Sequence, residues 1–150
     1  MPITKDANPS LRYVRTDKDT HFTGAINQNA TEEENITGLA SSKIIINSIA
    51  ILSDQLLNYR VILFSQDTFD NADLDVDSFW GEIGLDLPSY GFQIAGAGKY
   101  YMAVTGLNIP YEDKDGSEEL HIALQNLSAT AKNAGATGEV VLEVHYEIKE

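Results

Sequence analysis

From Glu139 to Lys149 polar and apolar residues alternate almost without fault. Val140, Leu142, Val144, Tyr146 and Ile148 fall on one face, and Glu139, Glu143, His145, Glu147 and Lys149 on the other, broken only by Val141. A period of two sustained over ten residues predicts a half-buried β-strand. Glu119 to Asn126 repeats the pattern, which predicts Leu120, Ile122 and Leu124 inward and His121, Ala123 and Gln125 outward, at the surface. The most apolar stretch is Lys43 to Phe69. Two β-branched and aromatic runs, 43–53 and 59–65, flank the polar-tipped connection Asp54 to Asn58, and this spacing predicts a β-hairpin with a five-residue loop. Both runs read as apolar on both faces: Ile44, Ile46, Ala50 and Leu52 opposite Ile45, Ile49 and Ile51 in the first, Val61 and Leu63 opposite Ile62 and Phe64 in the second. Asn47-Ser48 interrupts the first run and predicts a bulge or a polar spot there.

Further strands are predicted at 11–16, 20–27, 79–87, 92–94 and 99–106. Thr31 to Asn35, with three consecutive glutamates, reads as an acidic turn or one helical turn, 66–78 as a long acidic connection and 110–118 as another acidic turn. Pro88 to Gly91 reads as a turn, and Leu127 to Gly138 as a loop of small residues. About eight strands and no amphipathic helix predict an all-β chain. The long acidic connections favour an antiparallel two-sheet sandwich of jelly-roll or Greek-key topology over an up-and-down barrel. Residues 1–10, with Pro2 and Pro9, read as an N-terminal arm, and 11–150 as one β-sandwich domain.

Charge changes the picture more than composition does. The 150 residues hold 23 Asp and Glu against 10 Lys and Arg, a formal net charge of −13. That balance argues against nucleic acid and against anionic membrane surfaces as partners. There is no cysteine, hence no disulfide and no thiolate metal site. The first residues lack the apolar core of a secretory signal, and no apolar run is long enough to cross a bilayer.

No nucleophile elbow, phosphate loop, zinc-protease motif or dinucleotide fingerprint occurs, so no catalytic residue is named and no enzyme is expected. His21, His121 and His145 lie on separate predicted strands and read as surface histidines. Asp73, Asp75 and Asp77 offer alternate carboxylates to a hard cation such as calcium. As an EF-hand loop the segment fails: counted from Asp73, position 6 is Ser78 and position 12 is Gly84. A solvated acidic edge is the plainer reading, and no other cofactor is expected. Asp113-Lys114-Asp115-Gly116 reads as a turn, with Asp115 bonding its own backbone.

Strands that are apolar on both faces leave a sandwich with more apolar surface than it can hide, which predicts a partner surface. Ile62, Phe64, Tyr100 and Tyr101 are the expected interface residues of a homo-oligomer, most naturally a closed ring. The whole layout of arm, cysteine-free β domain and loops rich in Asn, Asp, Gly and Thr resembles the jelly-roll decoration, or cement, proteins of tailed-phage heads. Glu119 to Lys132 and Gly138 to Ile148 look like the closing strands of such virion domains. The resemblance implies a non-enzymatic, often trimeric protein on the capsid surface, bound to the major capsid protein and bracing its lattice. The alternative is a carbohydrate- or receptor-binding sandwich, with Trp80, Tyr90, Tyr100, Tyr101 and Tyr111 as its aromatic platform.

Overall fold

The computed structural model describes residues 11–66, 79–94 and 98–149. Among these residues ten strands run β1 (Leu11–Arg15), β2 (Thr31–Thr37), β3 (Lys43–Ser53), β4 (Asn58–Phe64), β5 (Phe79–Asp86), β6 (Phe92–Ile94), β7 (Lys99–Val104), β8 (Ile109–Glu112), β9 (Glu119–Asn126) and β10 (Val140–Ile148). They form two antiparallel sheets: β1-β10-β3-β7-β6, with β8 also on β3, and β2-β9-β4-β5. The strands pair as β1 with β10, β2 with β9, β3 with β7 and β4 with β5. Such nested pairing is a long hairpin rolled up so that successive pairs alternate between sheets, which is a jelly roll. The sandwich and its topology are therefore as the sequence predicts.

The Lys43–Phe64 hairpin does not form. β3 pairs with β10, β7 and β8, whereas β4 pairs with β5 and β9 in the other sheet. Residues 54–57 carry the chain from one layer to the other instead of turning it back within a layer. Two strands that each bury a face can satisfy it against each other across the core as well as side by side, so the local pattern does not choose between these arrangements.

The bulge at Asn47-Ser48 is present. His145 faces Ser48 while Tyr146 faces Ile46, so Asn47 is the extra residue. One extra residue shifts the alternation by one. Ile44 and Ile46 before it, and Ile49 and Ile51 after it, consequently all point into the core at 0% exposure. β3 is thus not apolar on both faces throughout; Ile45, Ala50 and Leu52 are its outward apolar side chains, all half-buried.

Three segments differ from expectation. Ile109–Glu112, most of it read as the start of the acidic turn 110–118, is β8, paired with β3. Thr31–Thr37 is an edge strand, not a turn, and 20–27 is a loop with a single bridge from Ile26 to Lys132. The last two are linked. Inward-pointing Glu34 accepts the Phe22 amide at 3.1 Å and Glu32 accepts the Gly24 amide at 3.2 Å, so the loop's backbone satisfies the strand's carboxylates. Phe22 and Ile26 are both 1% exposed and plug the core at this edge. Expected strand 92–94 is β6, 99–106 contains β7, and Leu87–Tyr90 is a single helical turn capped by the Asp86 side chain.

Candidate functional site

Three places carry more than packing. The first is built on β8 and β9. His121, expected at the surface, is 0% exposed. Its Nε2 lies 2.9 Å from Asp113 Oδ1 and its Nδ1 lies 2.7 Å from Asn35 Oδ1, on the neighbouring β2. The cover is the loop after β8, which folds over the outer face of the four-stranded sheet. Asp113, rather than Asp115, organises that loop: its carboxylate accepts the amides of Asp115, Ser117 and Glu119 and the Ser117 hydroxyl, at 2.9–3.1 Å. Burial pushes the Asp113 carboxyl up, but the Glu119 amide, His121, Ser117 and the Asp115 amide outweigh it and hold it below the usual carboxylate range. Beneath the loop the Tyr111 hydroxyl accepts the His121 amide at 3.1 Å and donates to the Phe64 carbonyl, joining β8 of one sheet to β4 and β9 of the other.

Asp113, Asp115 and His121 bring one potential ligand atom each within 4.8 Å of one another. Both Asp113 oxygens already accept several hydrogen bonds, one of them alongside His121 itself. The arrangement is that of a clamp closing the loop onto the sheet. The expected calcium ligands Asp73, Asp75 and Asp77, and the arm 1–10, lie outside the described residues.

The second place is the outer face of the six-stranded sheet. Leu52 on β3, Val141 on β10, Tyr101 on β7 and Ile94 on β6 line an open depression of about 290 Å³, with Arg15 and Glu143 at its rim. Phe92, 59% exposed, packs edge-on against Tyr101 at 5.5 Å between ring centroids. The other sheet's outer face is dressed differently: Arg60 there meets Glu82 at 3.5 Å and Gln125 at 3.4 Å.

The expected interface residues do not converge. Tyr101 lies on this apolar face, but Tyr100, one residue away, points inward and packs against the core. Ile62 sits on the opposite sheet, half-buried, next to Ala123 and Glu82 in the ladder. Phe64 is 2% exposed, with the Phe79 ring edge-on at 6.4 Å, so it is buried within the subunit and closed to a second copy. Leu52, Phe92, Ile94 and Val141 are the other large apolar side chains there. Their common signal is an apolar side chain at an outward position beside a strand's core-facing set, and it becomes readable only once the strand order is known.

The third place is an indole-lined cavity at one end of the sandwich. Trp80 Nε1 donates to the Pro110 carbonyl, and its ring meets Tyr111 edge-on at 5.8 Å. Tyr111 itself is 1% exposed and so is no part of a surface platform. A buried cation was also missed. Lys132, in the small-residue loop, is 0% exposed and donates to the carbonyls of Gly24 at 2.8 Å and Asn133 at 3.1 Å. Burial lowers its pKa, against the pull of Glu32 and Asp54. A lone lysine in a run of Ala, Thr, Ser and Gly was the available signal.

The chain matches no protein-family model, and no curated protein matches it in sequence.

Proposed function

We propose that this protein is a structural, non-enzymatic module that associates with copies of itself and decorates and braces a shell such as a viral capsid. The observation that carries the self-association is the contrast between the two outer faces. In a free-standing sandwich both are wet and polar. Here the outer face of the four-stranded sheet holds Arg60, Glu82 and Gln125 around Ile62 and Ala123, whereas that of the six-stranded sheet, beside Glu143 and His145, gathers Leu52, Phe92, Ile94, Tyr101 and Val141. The occupant this face fits is a second copy. Two chains of net charge −13 repel, so contact is favoured where charge is locally balanced. The rim meets that condition: Arg15 lies 3.7 Å from Glu143, Lys99 pairs with Asp54, and Lys18 lies 3.0 Å from Glu139. The shell as the setting rests on the resemblance to phage decoration proteins. The fold is compatible with it but is shared by lectin domains, and by itself selects neither.

The test is light scattering coupled to size-exclusion chromatography at micromolar concentration. The expected result is an oligomer, a trimer on the family resemblance, that Leu52→Glu combined with Tyr101→Glu disperses without altering the far-UV circular dichroism. A wild-type monomer overturns the reading. The capsid setting requires in addition that the protein co-purify with particles.

A further inference from the structure

We infer that the cavity beside Trp80 binds an acidic saccharide, a sugar ring carrying a carboxylate. It has a volume of about 240 Å³ and is lined by Lys43, Trp80, Pro110, Tyr111, Glu112 and Lys149. Ligand pockets for drug-sized molecules run from about 300 Å³ upward, so a single ring is the right scale. The site is independent of the apolar sheet face, and the inference holds whether or not the chain self-associates.

Charge is the first argument. In a chain with 23 acidic and 10 basic residues, two lysines, Lys43 and Lys149, stand in the wall of this cavity, and Lys114, outside the lining, holds its Nζ over the indole, 5.9 Å from the ring centroid. The fold places them. The Lys149 amide donates to the Lys43 carbonyl at 3.1 Å, which sets the two stems side by side, and the turn after β8 delivers Lys114. Among the described residues none of the three ammonium groups forms an ion pair, although Lys43 stands directly opposite Glu112 in the β3–β8 ladder. Two lysines against one carboxylate in the lining make a locally cationic spot on an anionic molecule, and such a spot concentrates a small anion. At 5.9 Å Lys114 is at the outer limit of a cation–π contact, about 6 Å, so little holds it back from turning to a ligand.

The indole is the second argument. Its Nε1 bond to the Pro110 carbonyl and its edge contact with Tyr111 fix its plane before any ligand arrives, which lowers the ordering cost of binding. The electron-rich face of an indole attracts the weakly positive C–H face of a sugar ring. Glu112 is the third. A carboxylate in a site for a bare anion is a defect, but beside a polyol it accepts hydroxyl hydrogens. Lysines for the carboxylate, an indole for the ring and Glu112 for the hydroxyls suit one ligand class together, and an acidic peptide uses only the first.

Trp80 is the only tryptophan, so its emission reports the site directly. The experiment titrates the full chain with glucuronate, N-acetylneuraminate, glucose and an Asp/Glu-rich hexapeptide, following Trp80 emission and saturation-transfer NMR of the ligand. An acidic sugar is expected to shift the emission and to bind at least about tenfold more tightly than glucose, a difference of about 1.4 kcal/mol. Lys43→Glu combined with Lys149→Glu is expected to abolish that preference; both lysines are exposed, so circular dichroism and melting stay as in wild type. Trp80→Ala removes the ring contact, but Trp80 also packs on the core, and the lysine pair therefore carries the decision. The inference is overturned by no response to either acidic sugar up to about 10 mM, by equal response to glucose, by binding of the peptide alone, or by binding that survives the double lysine reversal.

Discussion

Nε2 of His121 lies 2.9 Å from Oδ1 of Asp113, and neither side chain has any solvent exposure. Because the same carboxylate also collects three backbone amides, it is held below its ordinary pKa of 3.8. The sign of the resulting pH dependence follows. Above about pH 5 the carboxyl is ionised in both states and its full contribution is present. As pH falls below 3.8 the unfolded chain takes up the proton first, so stability is lost progressively as pH drops through the folded value. Asp113→Asn is expected to cost about 2–5 kcal/mol at pH 7, since it replaces a buried, multiply bonded carboxylate with a group that accepts through one oxygen only. Urea midpoints for both chains from pH 7 to pH 3 check this. The wild type should lose its advantage toward pH 3, and parallel curves would assign the acid sensitivity to other groups.

The Tyr111 hydroxyl tests whether the two layers are tied at this end. It accepts the His121 amide and donates to the Phe64 carbonyl, in a place where all three residues are buried. Tyr111→Phe keeps the ring, and with it the contact to Trp80, and deletes both bonds. The His121 amide then loses its acceptor, at about 1–3 kcal/mol. Chemical denaturation should show a lower midpoint with an unchanged slope, and amide hydrogen exchange should quicken at His121 before it does at the centre of β10.

How much of this was legible depended on whether the signal was local. β10 and β9 announced themselves because the alternation survives along each strand without interruption by a bulge of its own. The bulge was legible at Asn47-Ser48, yet its consequence was not: counting straight through it puts Ile44 and Ile49 on opposite faces, whereas the extra residue brings them onto the same one. The missing hairpin is the same kind of error one level up, since apolar runs declare burial but not which layer they join. Glu32 and Glu34 disguised β2, because three glutamates in a row disfavour a strand unless distant backbone amides satisfy them, here Phe22 and Gly24. His121 was misplaced for a related reason. Its outward parity was right, but the turn after β8 folds over that face, and the contact spans a loop whose direction no periodicity encodes. The interface residues suffered most: Ile62 and Tyr101 are each outward, but on opposite sheets.

Two glycines give a test in which the same chemical change should act with opposite signs. A Cβ added to Gly138 would sit 1.9 Å from the Asn133 carbonyl oxygen and 2.6 Å from its carbon, both backbone atoms. That carbonyl is also one of the two that hold the buried Lys132 ammonium. Gly138→Ala must therefore push the 133–138 turn outward and loosen the lysine's bond with it, at a cost of about 1–3 kcal/mol. Gly84, on the edge strand β5, meets nothing within 4 Å of an added Cβ and is exposed. There the methyl group removes backbone freedom from the unfolded chain, and Gly84→Ala is expected to stabilise by about 0.5–1 kcal/mol. Melting temperatures of the two variants, read in one buffer, should move in opposite directions from wild type. Unchanged stability in Gly138→Ala would mean that the turn gives way freely, and the close packing that keeps Lys132 from water would then need another support.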